Sequence, residues 1–539
     1  MMKESRESLH IGIPDIGIPA EGEAGTSRAA ADQTGAAKFG LVQNAGPAVR
    51  NLPPDEPDPV SSAETGSGLA DESEAEFLEE AKIPPAAGLP TEPGIYIHIP
   101  FCVQKCIYCD FNSLPGCTAE LKGRYFRSLI REIEAFKDEL ALRAEKGLLD
   151  RTWFADTLFL GGGTPSAAGP ALIEELMEHI RRPGKSGIRL LKDGDDGLRA
   201  GRGHRSFFGE ITMEVNPGTV TEDDLCRYRR AGINRLSIGV QSFQDEELKF
   251  LGRIHTAREA EECISAARRA GFENLNIDLI FGFPGNTRDK WKETLLRALD
   301  LKPDHISFYS LQIEEGTPLY QMFRRDEVEQ VRDEENRAMY RDAAGLLKES
   351  GYLRYEISNA SLPGRACRHN LKYWSMCDYV GFGVSAHSYL DRARSFNEDD
   401  IGAYLQRMEA LQEEFQQKIG GGSVHSGCPD WGAKHGVDSS AGVGVDSGVR
   451  SGYRRRNLSQ NTLEDELEET LFTGLRKTEG IDIRWFDMRF APYGTSFEKE
   501  YGEKIRPYVE SGDLILEDGK IRFSERGLDI SNYILARLI

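Results

Sequence analysis

Three cysteines, Cys102, Cys106 and Cys109, lie close together in the string YIHIPFCVQKCIYCDFNS. Their CxxxCxxC spacing puts three thiolates on one loop, which can hold three irons of a [4Fe–4S] cubane and leave the fourth without a protein ligand. That open iron is a binding site. The amino and carboxylate groups of S-adenosylmethionine (SAM) can chelate it, placing the sulfonium beside a reducible cluster where electron transfer can cleave a carbon–sulfur bond. Structural zinc or three unrelated thiols are the other readings, but structural zinc closes with four ligands, usually from CxxC pairs, and no second pair occurs here. The neighbouring Phe101, Tyr108 and Phe111 are expected either to shield the cluster from water or to belong to the core.

Further polar residues lie in short strand-like segments or just after them. Gly161-Gly162-Gly163-Thr164-Pro165-Ser166 follows one such segment, and glycines there let backbone amides approach a ligand closely. Glu214 in MEVNPG and Gln241 in GVQSF offer a carboxylate and an amide able to bind ribose hydroxyls or an ammonium. Arg253 in LGRIHT can fork onto a carboxylate, and Asp278 completes the set. Each of these can equally be a buried polar group with a structural partner. Later in the chain, CRHNLKYW carries His369, Tyr373 and Trp374, a potential axial iron ligand beside two flat aromatic faces, or alternatively core residues.

Positioning these residues calls for a repeating scaffold. Six β-rich runs, at 95–99, 156–160, 210–215, 233–240, 275–282 and 305–311, alternate with amphipathic helical stretches at 121–145, 171–181, 222–231, 257–270 and 288–299. Such alternation implies parallel strands joined by helical crossovers, and six units predict an α/β fold with a partial (βα)6 barrel. Functional residues then belong at the C-terminal ends of the strands. The tail predicts a helix, a hairpin turning at Asp518-Gly519 and a further helix, a small α+β winged-helix-like domain without a basic excess.

The expected division is a disordered extension over 1–92, a barrel over 93–320, a barrel-completing region over 321–417, a Gly-rich insertion over 418–455 and the tail domain over 456–539. A second insertion is expected near 182–207. A net charge of −21 offers no field for nucleic acid. No apolar run is long enough for a transmembrane segment, and nine cysteines, mostly scattered, suit a reducing compartment, so a cytoplasmic location is expected.

The string from Tyr96 to Ser113, with YxHIPFC before the cluster cysteines, resembles radical SAM proteins of the oxygen-independent coproporphyrinogen III oxidase type. The resemblance runs from about residue 94 to the end, leaving out the two insertions. It implies that Tyr96, Gly162, Gly163, Thr164, Glu214, Gln241, Arg253 and Asp278 contact SAM, with the GGGTP element holding its amino group. The oxidases have a further cysteine two residues beyond the third, where this chain has Phe111. The HNxxYW segment instead resembles that of HemW-type heme chaperones, as do IDLIFGFPGNT, YEISN and GFGVSAHSY, the last bringing His387 as a second heme contact. That resemblance implies heme as cargo, with His369, Tyr373 and Trp374 against it, an acceptor protein and a reductant for the cluster. The competing reading is oxidative decarboxylation of coproporphyrinogen III through a 5′-deoxyadenosyl radical.

Overall fold

The computed structural model describes residues 92–146, 153–184, 189–191, 209–420 and 458–539. The expected disordered extension, most of the 182–207 insertion and nearly all of the 418–455 insertion lie outside the described residues.

The six expected strands form, as β1 (Gly94–Ile99), β2 (Thr157–Gly162), β3 (Glu210–Val215), β4 (Arg235–Gln241), β5 (Leu275–Phe281) and β6 (His305–Ser310). So do the helices between them, α1 (Ala119–Glu145), α2 (Pro170–Arg181), α3 (Glu222–Arg230), α4 (Ala257–Arg269) and α5 (Arg288–Asp300). Helix starts are set by Thr221, Thr256 and Thr287, whose side chains accept the backbone N–H of Asp224, Glu259 and Lys290. Asp224 and Glu259 return the bond and close capping boxes.

Side chains of the strands alternate. Ile95, Ile97 and Ile99, Leu158 and Leu160, Ile211 and Met213, Leu236 and Ile238, Leu275 and Ile277, and Ile306 and Phe308 are buried in the main core with residues of the helices. The intervening residues include Tyr96, Phe159, Glu214, Arg235, Asp278 and Tyr309, which line a cavity on the other face. A sheet covered by helices on both faces is apolar throughout, so this two-sided pattern belongs to a sheet curved round a polar interior.

The sheet extends beyond the six predicted strands. With α6 (Asp333–Glu349), β7 (Leu353–Glu356), β8 (Asn359–Ser361), α7 (Arg368–Trp374), β9 (Tyr379–Phe382), β10 (His387–Leu390), β11 (Ala393–Phe396) and β12 (Ser459–Gln460), its order is β12-β11-β10-β9-β1-β2-β3-β4-β5-β6-β8-β7. β9 pairs parallel with β1 and so adds a seventh parallel strand, while β8 and β10 pair antiparallel with β6 and β9. The tail has its own core, built around Leu471, Phe486, Phe497 and Ile521. Its hairpin, Leu514–Glu517 with Lys520–Phe523, turns at Asp518 and Gly519, both at positive φ as a two-residue turn of this hand requires.

Helix α7 is held by groups outside itself. The Glu210 carboxylate, at the start of β3, accepts the backbone N–H of Arg368 at 3.1 Å and of His369 at 3.2 Å, and the Cys367 thiol at 3.4 Å. These are the orphan donors of a helix N-terminus, here satisfied by a neighbouring strand. Asp156 adds an ion pair to Lys372 at 2.6 Å and another to Arg368. Glu210→Ala leaves these buried donors unpaired and should lower the unfolding free energy by about 2 kcal/mol in a denaturant titration; an unchanged midpoint would show that the helix does not depend on this anchor.

Candidate functional site

The cysteine loop begins where β1 ends. Backbone pairing of Phe101 with Leu114 and of Cys102 with Pro115 closes it at the base, and His98 spans it, its Nδ1 meeting the Tyr96 hydroxyl at 3.0 Å and its Nε2 the Asn112 carbonyl at 2.9 Å. The three thiols are near enough to influence one another, but burial is the larger effect and raises Cys102 and Cys109 above the ordinary thiol value. Among the described residues no three His, Cys, Asp or Glu side chains are gathered so as to share one metal ion. Cubane ligands differ in this respect, since each binds a separate corner iron. Phe101 is buried against Tyr125, and Tyr108 packs near Leu251 and Phe283. Phe111 is 49% exposed, so it is not the enclosed shield the sequence suggested.

A chain of hydrogen bonds joins the loop to the ends of the next three strands. The Cys102 sulfur lies 3.5 Å from the Thr164 hydroxyl; Asn216 Nδ2 donates to that hydroxyl at 2.7 Å; Arg253 Nη2 donates to Asn216 Oδ1 at 2.7 Å and to the Gly239 carbonyl at 2.6 Å; and Arg253 Nη1 lies 3.4 Å from the Cys106 sulfur. Donors aimed at cluster thiolates stabilise their charge. Two buried polar atoms here, Gln241 Oε1 and Arg253 Nε, have no partner, and Gln241 is held at a φ of 69° at the irregular end of β4. A non-glycine residue at positive φ beside an unfilled acceptor is a strained position of the kind that clusters at binding sites. Gly163 packs so tightly that a Cβ would lie 2.7 Å from the Pro100 carbonyl carbon. The donor set and its orphaned atoms fit a cluster with a small polar ligand.

Tyr96, Gly162, Glu214 and Asp278 line the cavity together with His369, Tyr373 and Trp374. Gly163, Thr164, Gln241 and Arg253 are not part of that lining and stand toward the cysteine loop. The Glu214 carboxylate accepts the Gly162 N–H at 3.1 Å, and burial, then the charge of Asp278, pushes its pKa up to about 8. Asp278 accepts from Ser237 at 2.9 Å and Asn276 at 2.8 Å. His369 is 1% exposed, stacks on Phe159, and uses both ring nitrogens, toward the Thr157 hydroxyl and the Tyr373 hydroxyl, each at 2.9 Å. The Trp374 indole Nε1 is buried without a partner. His387 lies on β10, stacked on Phe396, outside the cavity lining. Burial pushes the Cys367 thiol up to about 12, which makes it an ordinary inert thiol. His98 and Asn216 were not singled out from sequence as site residues, although both stand inside the YxHIPFC and MEVNPG strings.

Burial lowers the pKa of His369 to about 3, and those of His98 and His255 to about 4, from an ordinary 6.5. The native state therefore keeps these rings neutral while the unfolded chain takes up protons below 6.5, so what the rings contribute to stability is constant above that value and is lost as the pH drops toward 4. Each ring contributes at most about 1.4 kcal/mol per pH unit to the decline. Denaturant titrations between pH 7 and pH 4 should show a shallower acid loss for His369→Gln than for the parent, and identical slopes would contradict the burial.

Residues 96–298 match the family model of the radical SAM superfamily and residues 461–530 that of the HemN C-terminal domain. The chain is 38% identical over 312 residues to the heme chaperone HemW of Escherichia coli (strain K12), covering 57% of this chain and 70% of that protein. Against the heme chaperone HemW of Bacillus subtilis (strain 168) it is 29% identical over 444 residues, 82% of this chain and 98% of the other. Against the mitochondrial radical S-adenosyl methionine domain-containing protein 1 of Danio rerio it is 30% identical over 460 residues, 85% and 88% of the two chains. The solved structure of coproporphyrinogen III oxidase (HemN) from Escherichia coli shares the fold, with a TM-score of 0.60 at 20% identity over 84% of this chain and 91% of that one. With a (βα) barrel, a cysteine loop tied to its strand ends and an HNxxYW helix laid over its cavity, the chain belongs to the radical SAM superfamily and, within it, to the family of the HemW heme chaperones.

Proposed function

We propose that this chain binds heme and passes it to an acceptor protein. In this reading Cys102, Cys106 and Cys109 hold a [4Fe–4S] cluster, and Tyr96, Gly162, Gly163, Thr164, Glu214, Gln241, Arg253 and Asp278 receive SAM. When bound, that pair supplies a reducible centre beside a sulfonium. The chain's own residues orient it: Thr164 and Arg253 direct donors at two of the cluster sulfurs, and the unpaired Nε of Arg253 is left for a carboxylate.

The observation that carries the heme assignment is the seating of the HNxxYW helix on the cavity that the SAM-side strands also line. His369 supplies the neutral imidazole that iron requires, since burial holds its pKa near 3. Ligation through Nε2 replaces the Tyr373 hydroxyl, while Nδ1 stays on Thr157 and fixes the ring, the usual support for a metal-bound imidazole. Tyr373, Trp374 and Phe159 offer the flat apolar surface a porphyrin needs. Phe111 stands where the oxidases carry a further cysteine, and it too lines the cavity.

Anaerobically reconstituted protein titrated with heme should develop a ligand-shifted Soret band. His369→Ala should lose that shift and weaken binding by on the order of tenfold or more; a variant with unchanged spectrum and affinity would remove His369 as the ligand. The same preparation supplied with SAM and reductant should leave coproporphyrinogen III untouched. Its conversion with consumption of SAM would establish the oxidase reading instead.

A further inference from the structure

The end of the cavity farther from the cysteine loop holds groups that neither the cluster nor an iron ligand uses. Arg235, the first residue of β4, is 2% exposed and lines the cavity. Its Nε has no hydrogen-bond partner, and Glu210 and Asp278 influence it only through space. Burial disfavours its charge and the nearby acids, Glu210 and Asp278 among them, more than offset that, yet the unfilled Nε–H leaves the guanidinium a donor to offer a further oxygen. Trp374 lines the same cavity and its Nε1–H is likewise buried and unpartnered, as is the Oδ1 of Asn359, which is 5% exposed. Arg476, from the tail segment, lies over the Trp374 ring at 5.8 Å and brings a second guanidinium to the rim.

The geometry points to a carboxylate seat: Arg235 and the Trp374 N–H, with Arg476 at the rim, receive a propionate group of the bound porphyrin. This rests on the heme-binding reading above and adds how the cargo is oriented, with its flat face against the aromatic residues and its acidic edge toward β4. The fork of an arginine matches a carboxylate, and an indole N–H supplies one further donor. The other acids of the cavity do not oppose an anion fully, because burial raises Glu214 to about 8 and Glu356 to about 7 and also raises Asp278.

SAM also carries a carboxylate. Arg235 and Gln241 are the two ends of β4, and the strand rise sets them roughly 20 Å apart. An aminocarboxylate bound at the cysteine-loop end therefore does not reach Arg235, so the porphyrin is the source that fits.

The test compares metal-free protoporphyrin IX with its dimethyl ester by fluorescence titration of the full chain, which removes iron ligation from the readout. The parent protein should prefer the free acid by on the order of tenfold, and Arg235→Gln should lose the preference while Arg235→Lys keeps part of it. Equal affinity for acid and ester in the parent, or a preference that survives in Arg235→Gln, overturns the seat. Should that variant fail to fold, Trp374→Phe keeps the aromatic packing and removes the N–H, and it should narrow the preference several-fold; an unaltered preference counts against the seat. SAM affinity should be equal in the parent and Arg235→Gln, and a loss confined to SAM would reassign the arginine and overturn the proposal. Acid-over-ester discrimination in a protein that binds no heme would sink the chaperone reading and leave the seat standing, and heme binding without discrimination would do the reverse.

Discussion

The fold rests on a period of two along each strand of a curved parallel sheet. Every second residue, an Ile, Leu, Val, Met or Phe, is driven under the helices, and each such side chain fully buried is worth about 1.5–3 kcal/mol. The residues between them then have no choice but to face the interior, and there the sequence places Tyr96, Glu214, Arg235, Asp278 and His305. Collecting carboxylates and a guanidinium in a low-dielectric space is unfavourable, and the raised pKa values of Glu214 and Glu356 are its direct expression. The aliphatic outer face supplies the stability against which this polar interior is maintained.

The same constraint fixes what the strand ends can do. Because the strands run parallel, the segments after β1, β2, β3 and β4 emerge together, and Cys102, Thr164, Asn216, Arg253 and Cys106 close into one hydrogen-bonded series. Three separate stretches of sequence thus position one loop. At the other side of the cavity, α7 is anchored from outside by Glu210 and Asp156, so a seven-residue helix too short to persist alone holds His369 in a defined place.

Much of this was legible in the sequence for physical reasons. The six barrel strands and their helices were read to within one or two residues because β-rich runs and amphipathic helical periods both leave local signals. The CxxxCxxC loop drew attention because its spacing suits cluster chemistry, and HNxxYW because it resembles a segment of the HemW-type chaperones. β7 to β11 were not, since strands of three or four residues such as YVGF carry too little pattern to separate from loop, and the parallel pairing of β9 with β1 joins residues nearly 300 apart in sequence. The parts played by His98 and Asn216 depend on partners in distant segments. His369 shows the limit from the other side: its type suggested a ligand, while its two hydrogen bonds, visible only in three dimensions, show that both ring nitrogens already have partners.

The account turns on whether the cysteine loop presents a cluster with one coordination site open toward the strand ends. Electron paramagnetic resonance of the reduced, anaerobically reconstituted protein, recorded before and after adding SAM, addresses this directly, because a ligand entering the open iron changes the cluster's spectrum. The account predicts a clear change in the parent and loss of the intact cluster signal in Cys106→Ala. A spectrum indifferent to SAM, or metal analysis finding zinc in place of iron and sulfide, would contradict it.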